Sequence, residues 1–181
     1  MLPIHLLWIN LVTDSLPALA LAVDPAEADV MKRKPLKHKA GVFTKGMTWR
    51  IIYQGIMIGL ITLAAFILGL STPDKTPEEK VLIGQTMAFY VLSLSELVHI
   101  FNIRNNHKSV FKTNPFNNGK LILAELVSAC LMFIILFTSH LREIFSITLL
   151  PKEHIFEIAL LIFSPLLIVE LFKLLKINGK D

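Results

Sequence analysis

The apolar residues of this 181-residue chain are gathered in five long blocks that polar segments separate. Each block holds about 20 residues, enough for a helix to cross a hydrocarbon core of roughly 30 Å at about 1.5 Å per residue. Five such blocks in succession are typical of an integral membrane protein. The pattern predicts an all-α membrane protein, a bundle of five transmembrane helices at about residues 2–23, 48–70, 81–103, 121–140 and 155–175.

The composition agrees with this pattern. Hydrophobic residues make up 54% of the chain and charged residues only 18%, whereas about a quarter of a soluble domain is charged. The single cysteine, Cys130, lies in a predicted helix, so we expect no intrachain disulfide. No cationic segment precedes the first apolar block, which argues against a cleaved signal peptide.

The net charge of +4 is concentrated on alternate connections between the helices. Most of the 18 Lys and Arg residues lie in the basic loop 24–47, between the third and fourth helices, and after the fifth helix. The positive-inside bias predicts that the amino terminus is outside and the carboxyl terminus is in the cytoplasm. Since topology accounts for the charge, we expect the lipid bilayer as a partner and no nucleic acid.

The first helix begins at the start of the chain, with no polar flank before it. We therefore expect the chain to be a piece of a larger protein, cut in the loop that precedes this helix. None of its own loops is long enough to form a globular domain.

Polar side chains inside a bilayer are expensive, so they are the first candidates for function. Asn10, Thr13 and Asp14 are spaced i, i+3 and i+4 in the first helix, which predicts that they share one side of it. Their amide, hydroxyl and carboxylate oxygens are hard donors that suit Ca²⁺ or Mg²⁺ better than a soft metal. The first helix is therefore a candidate cation site.

Pro17 adds a backbone oxygen to this candidate. Proline has no N–H, so the carbonyl of Thr13, four residues earlier, loses its helical hydrogen bond. In lipid that oxygen must find another partner, and broken helices whose carbonyls coordinate ions are known in transporters. A proline kink whose polar neighbours are satisfied by other helices explains the same residues equally well.

Glu96 in the third helix is a second candidate. Counting residues from the inner helix ends places Asp14 and Glu96 at the same depth, roughly 10–14 Å from the cytoplasmic edge. Two carboxylates at one depth could share an ion. The alternative is a lone protonated carboxyl that is hydrogen-bonded to Ser93 or Ser95.

Other polar features favour structural roles. Glu96 and His99 form a single Glu-x-x-His pair, whereas di-iron bundles need two such pairs and two further glutamates. The sequence Asp74-Lys75-Thr76 resembles the opening of an aspartyl-phosphate motif, but it lies in an outer loop and Pro77 follows it. We expect no catalytic residue in this chain. Three further carboxyl groups in or near the helices are expected to be structural: Glu125, Glu157 and Glu170.

The segment Leu6–Ala18 resembles the sixth transmembrane helix of type II P-type cation-transporting ATPases, and it is most similar to that of the sarco/endoplasmic-reticulum-type calcium pumps. Residues 24–35 resemble the cytoplasmic loop that follows that helix, and Thr86–Glu96 resembles the eighth helix of the family. The resemblance extends over the whole chain, residues 1–181, as helices six to ten of a ten-helix membrane domain. It implies the membrane domain of an ATP-driven Ca²⁺ pump, in a bacterial plasma membrane.

The resemblance also implies the site residues. Asn10, Thr13 and Asp14 match the calcium ligands that the sixth helix supplies, with Asp14 shared between two ions, and Glu96 matches the ligand from the eighth helix. Having both Thr13 and Glu96 implies two sites. Related sodium and proton pumps carry Asp where Asn10 stands, which argues against those ions.

The chain lacks other parts of such a pump. The phosphorylation sequence, the nucleotide domain and the actuator are absent, so Mg²⁺ and ATP would bind only in the rest of the protein, and helices four and five would supply the remaining ligands. The basic loop 24–47 is expected to contact the phosphorylation domain. Two alternatives remain: a pump for another cation such as Mn²⁺, Na⁺ or H⁺, and a stand-alone five-helix membrane interaction protein.

Overall fold

The computed structural model describes residues 1–24, 45–104, 109–112 and 117–175. Five helices in this part of the chain are long and apolar enough to cross a membrane: α1 (Pro3–Leu21), α2 (Lys45–Leu70), α3 (Pro77–Arg104), α4 (Gly119–Phe137) and α6 (Ile155–Leu174). A short helix, α5 (Ser139–Phe145), lies in the connection between α4 and α6. The predicted five-helix membrane bundle is confirmed. Most of the basic loop 24–47 and its expected contact lie outside the described residues.

The helix bounds differ from the hydropathy blocks where local hydrogen bonding decides them. Helix α3 begins at Pro77 rather than near residue 81 because Thr76 caps it. The Thr76 N–H donates to Oε2 of Glu79 over 2.9 Å, and the Glu79 N–H donates to the Thr76 hydroxyl over 3.3 Å. This reciprocal capping box, with proline at the first helical position, holds one further polar turn in the helix.

Helix α3 is the centre of the bundle. In its most apolar 18-residue window 61% of the residues are buried, against 22–33% in the corresponding windows of the other four membrane helices. It contacts α1, α2, α4 and α6. One buried cluster joins it to α2 and α6 around Met57, Met87 and Val169, and a second joins it to α1, α4 and α5 around Ile9, Tyr90 and Met132. The central helix is thus the one that carries Glu96.

The outward faces of the peripheral helices are strongly apolar. On α2 the exposed side chains include Ile56, Leu60 and Ile67, and on α6 they include Phe156, Leu160 and Leu167. Contiguous exposed faces of this kind are not found on soluble monomers, but they match a hydrocarbon solvent. At one crossing, α2 and α3 touch through backbone alone, since a Cβ on Gly69 would lie 2.4 Å from the Cα of Gly84.

Side-chain hydrogen bonds to the backbone fix the position of α1 at three levels. Near its start, Nε2 of the buried His5 lies 2.6 Å from the carbonyl oxygen of Phe145 in α5. In its middle, the Ser128 hydroxyl of α4 donates to the carbonyl of Val12 over 2.7 Å. At its end, the Asn118 amide donates to the carbonyl of Ala20 over 3.0 Å. Helix α1 is therefore held in register against α4 and α5.

Candidate cation site

The backbone of α1 is not a regular α-helix. Residues Pro3–Trp8 and Ser15–Leu21 are α-helical, but Ile9–Asp14 between them form a π-helix, a wider turn with i→i+5 hydrogen bonds. The π segment ends three residues before Pro17 and contains all three polar residues that the sequence marked on this helix. Such π segments are rare and are frequently found at functional sites.

Hydroxyl groups cover several carbonyls of this widened turn. The Thr13 hydroxyl donates to the carbonyl of Ile9 over 2.9 Å, and the Ser15 hydroxyl donates to the carbonyl of Asn10 over 2.7 Å. Ser128 of α4 covers the carbonyl of Val12 in the same way. In a bilayer backbone groups that leave the regular ladder need such partners. The polar residues around Pro17 thus stabilise the π turn as well as offering oxygen atoms.

The structure brings Thr13 and Glu96 together. The Thr13 hydroxyl oxygen lies 3.4 Å from Oε2 of Glu96, across the contact between α1 and α3. Thr13 is buried and Glu96 is partly buried. The Thr13 hydroxyl and the Glu96 carboxyl group therefore lie at the same level of the bundle. The alternative partners do not bond Glu96, since Ser93 and Ser95 donate to the carbonyls of Phe89 and Leu92.

Asn10 and Asp14 occupy a different side of α1 from Thr13. Both side chains are exposed, and neither has a hydrogen-bond or ion-pair partner among the described residues. Asp14 is still close enough to Glu96 for the two carboxyl groups to interact electrostatically. Thr13 and Glu96 thus meet inside the contact between α1 and α3, whereas the side chains of Asn10 and Asp14 are exposed on α1.

The chemistry of these groups is that of a hard-cation site that needs further ligands. One amide, one hydroxyl and two carboxyl groups offer oxygen donors of the kind that Ca²⁺ and Mg²⁺ take. Within the described ranges no group of three or more His, Cys, Asp or Glu side chains is placed to hold a metal ion. These four side chains therefore offer fewer oxygen donors than the six to eight that Ca²⁺ takes.

The other membrane carboxyl groups divide into satisfied and unsatisfied ones. Glu170 accepts hydrogen bonds from the Ser109 hydroxyl and the Val110 N–H, and it lies 2.9 Å from Nζ of Lys173. Glu157 pairs with the ring of His154. Within the described ranges, both carboxyl groups therefore have hydrogen-bonding partners.

Glu125 is the exception. It is buried in α4 between α3 and α6, beside a cavity of about 470 Å³, and neither carboxyl oxygen has a partner among the described residues.

Sequence reasoning missed Ser128, which orients the π turn through its bond to Val12. A signal was present, because Ser128 lies three residues after Glu125 and therefore on the same side of its helix. It also missed His5, whose imidazole stacks on Phe89 with ring centroids 4.5 Å apart. The sequence does not show which segments of the chain the side chains of His5 and Ser128 contact in the folded bundle.

Comparisons with known proteins agree with this architecture. The family model described as "Cation transporting ATPase, C-terminus" matches residues 1–175. The chain is 40% identical over 187 residues to calcium-transporting ATPase 1 of Bacillus cereus, which covers 97% of the chain and 21% of that relative. It is 44% identical over 145 residues to the calcium-transporting ATPase of Bacillus subtilis, which covers 80% of the chain and 16% of the relative.

A plant relative shows the same relationship. The chain is 31% identical over 201 residues to the endoplasmic reticulum-type calcium-transporting ATPase 3 of Arabidopsis thaliana, covering 97% of the chain and 20% of that protein. The chain spans about a fifth of the length of these relatives. With five membrane helices in the matched region, the chain belongs to the cation-transporting ATPase C-terminal family, the carboxyl-terminal membrane region of P-type ATPases.

Proposed function

We propose that this chain supplies Asn10, Thr13, Asp14 and Glu96 to the intramembrane cation sites of an ATP-driven Ca²⁺ pump. The observation that carries the proposal is the contact between Thr13 in the π turn of α1 and Glu96 in the central helix α3, 83 residues away in sequence, with an oxygen separation of 3.4 Å. Oxygen donors from two helices converge there beside an irregular backbone. The names of the relatives supply the ion.

The open side of the site supports a role within a larger protein. Asn10 and Asp14 are exposed in the middle of a membrane helix, where polar side chains facing lipid are costly. We therefore place further helices of the same protein against this side, where they contribute the remaining ligands.

Gly55 and Gly59 on α2 form a second surface that another helix could contact, since an added Cβ would meet no atom within 4 Å. Glycines four residues apart are typical of close helix contacts in membranes.

In the transport cycle these residues would bind Ca²⁺ and then release it. Phosphorylation of the rest of the protein by ATP and Mg²⁺ would shift α1 relative to α3. Ca²⁺ held between Asp14, Thr13 and Glu96 would then lose one group of ligands and leave outward. The chain itself performs no phosphoryl transfer. In this proposal the amino terminus of the chain faces outward, the carboxyl terminus is cytoplasmic, and the membrane is the bacterial plasma membrane.

The deciding experiment uses the full-length protein that contains this chain. Phosphoenzyme formation from ATP is followed during Ca²⁺ titration in the native protein and in Asp14→Asn, which keeps the size of the side chain and removes its charge. We expect phosphorylation at micromolar-range Ca²⁺ in the native protein and loss of that response in the variant. Ser93→Ala is the matched control, since its hydroxyl bonds only its own helix.

The same titration separates the rival functions. Activation by Mn²⁺ or Na⁺ at concentrations where Ca²⁺ has no effect would identify a pump for another cation. Phosphorylation that ignores every cation, or that survives Asp14→Asn unchanged, would contradict the site. If no phosphoenzyme formed under any condition, a membrane interaction protein without transport activity would be the better description.

A further inference from the structure

A shallow groove lies between α1 and α4. Its volume is about 400 Å³. Its floor contains two small residues, and its walls are exposed aliphatic side chains. The residues that matter here are Leu19, Ala20 and Val23 of α1 and Lys120, Leu123 and Ala124 of α4.

The groove changes character along its length. Lys120 is the second residue of α4 and lies at the same end as the polar cluster of Asp24, Arg104 and Asn118. From there the lining runs to Val127, seven residues or about 10 Å further along the helix axis and toward the middle of the membrane. Every lining residue other than Lys120 is apolar. The groove therefore has one cationic mouth and an apolar interior.

The charge of Lys120 is not balanced within the described part of the chain. Its side chain is exposed and makes no ion pair or hydrogen bond there. Asp24, an acidic group at this end of the bundle, is already engaged: Nε of Arg104 lies 2.8 Å from Oδ2, and the Asn118 amide donates to Oδ1 over 3.1 Å. A lysine beside the membrane with no acidic partner attracts an anionic headgroup.

We propose that this groove is a binding site for one anionic glycerophospholipid. The phosphate-bearing headgroup lies at Lys120, and an acyl chain lies over Ala20 and Ala124. Small residues on the floor let the chain approach both helices closely, and the aliphatic walls of Leu19 and Leu123 enclose it. The proposal rests on the membrane setting of the bundle and not on the identity of the transported ion.

The test uses the full-length protein in bilayers of equal amounts of phosphatidylglycerol and phosphatidylcholine. A photo-reactive benzoylphenylalanine replaces Leu123, which is 63% exposed on the groove wall, and the mass of the cross-linked adduct identifies the lipid. We expect phosphatidylglycerol adducts to exceed phosphatidylcholine adducts by about five-fold, the ratio that one lysine near the surface provides. The same probe at Leu160 of α6, which is 58% exposed, should show no preference.

Two variants separate the headgroup from the chain. Lys120→Gln should bring the adduct ratio at position 123 to about one, whereas Lys152→Gln at the start of α6 should leave it at about five. Ala124→Trp fills the floor and should lower the yield of both lipid adducts at position 123.

An equal ratio in the native protein, or a ratio that Lys120→Gln does not change, would overturn the proposal. So would cross-linking to another helix of the protein in place of lipid. Ca²⁺-dependent phosphorylation of the same samples reports the proposed transport function separately.

Discussion

Two of the membrane helices contain a proline beyond their first turn, Pro17 in α1 and Pro165 in α6, and the backbone responds differently in each. In α6 the missing N–H leaves the carbonyl of Leu161 without its helical partner. The hydroxyl of Ser164 donates to that carbonyl over 2.7 Å, and the α-helix continues unbroken from Ile155 to Leu174. In α1 the turn before Pro17 widens into the π segment Ile9–Asp14.

The polar side chains near the two prolines also differ, because those of α6 are paired and two of those on α1 are not. Near the end of α6, the carboxylate of Glu170 accepts hydrogen bonds from Ser109, Val110 and Lys173, so the buried charges of Glu170 and Lys173 are paired inside the chain. Along α1, the side chains of Asn10 and Asp14 have no hydrogen-bond or ion-pair partner in the described residues. A membrane proline therefore does not create an ion site by itself. The site that we propose lies where the freed backbone is beside polar side chains that have no partner in the described residues.

The largest effect is expected from breaking the hydrogen-bonded ion pair of Glu170 and Lys173 near the end of α6. Lys173→Met removes the ammonium group that lies 2.9 Å from Glu170 and leaves a buried carboxylate without its counter-charge. The free energy of unfolding should fall by about 3–5 kcal/mol, measured by denaturant titration of the detergent-solubilised protein. Replacing both partners, as Lys173→Met with Glu170→Met, should restore most of the loss. A single variant as stable as the native protein would show that the pair is not needed.

Removing the charge of Glu96 from the candidate cation site should weaken ion binding and leave the free energy of unfolding nearly unchanged. Glu96→Gln keeps the size of the side chain beside Thr13 but removes its charge. Loss of one charged interaction is worth about 1.5–3 kcal/mol, so the Ca²⁺ concentration for half-maximal phosphorylation should rise roughly 10- to 100-fold. Ser95→Ala, one residue away and bonded to the carbonyl of Leu92, is the control. An unchanged Ca²⁺ dependence would exclude Glu96 from the site.

Replacing each of the two prolines by alanine tests whether the irregular backbone of α1 contributes to ion binding. Pro17→Ala returns an N–H to the carbonyl of Thr13 and favours a regular α-helix, which rotates Asn10 and Asp14 relative to Glu96. We expect Ca²⁺ affinity in the phosphorylation assay to fall roughly tenfold, the worth of about one hydrogen-bonded ligand. Pro165→Ala should leave that affinity as it is, because Ser164 already covers the freed carbonyl. Equal behaviour of the two variants would remove the distinction between the helices.

The smallest effect concerns the hydroxyl that keeps α6 regular. Ser164→Ala leaves the carbonyl of Leu161 without a donor and should lower the free energy of unfolding by about 0.6–1 kcal/mol. Thr62→Val in α2 is the control: its hydroxyl donates to the carbonyl of Ile58, four residues earlier, in a helix without proline. Its removal should therefore have a smaller effect in the same denaturant titration. The reverse order would mean that Ser164 does not replace the lost bond.

Some boundaries were predictable from the sequence and others were not. The hydropathy blocks located all five membrane helices, because a helix that crosses a bilayer must be apolar along its whole length. They misplaced the start of α3, where a polar capping box extends the helix to Pro77. They also missed the end of α4 at Phe137, after which Thr138 is extended and the short helix α5 begins. Hydropathy does not record hydrogen bonds at helix ends.

The candidate site was predicted as a set of residues that share one side of α1 and lie at the depth of Glu96. Spacing suggested that Asn10, Thr13 and Asp14 share one side of α1, but that argument assumes 3.6 residues per turn. The π turn changes this angle, so that Thr13 is buried against α3 while Asn10 and Asp14 are exposed. Pro17 signalled an irregular backbone, but the hydrogen bond from Ser128 to Val12 comes from another helix.

The sequence by itself determined the five membrane spans, the family and the polar residues of α1, because transfer of side chains into lipid depends on each segment alone. Tertiary structure decided which of those residues meet. Thr13 and Glu96 are 83 residues apart, and their contact depends on the depth and rotation of α1 against α3. That depth and rotation follow from packing and from the hydrogen bonds of His5, Ser128 and Asn118. Each of these bonds joins α1 to another part of the fold, so the sequence of one helix does not reveal it.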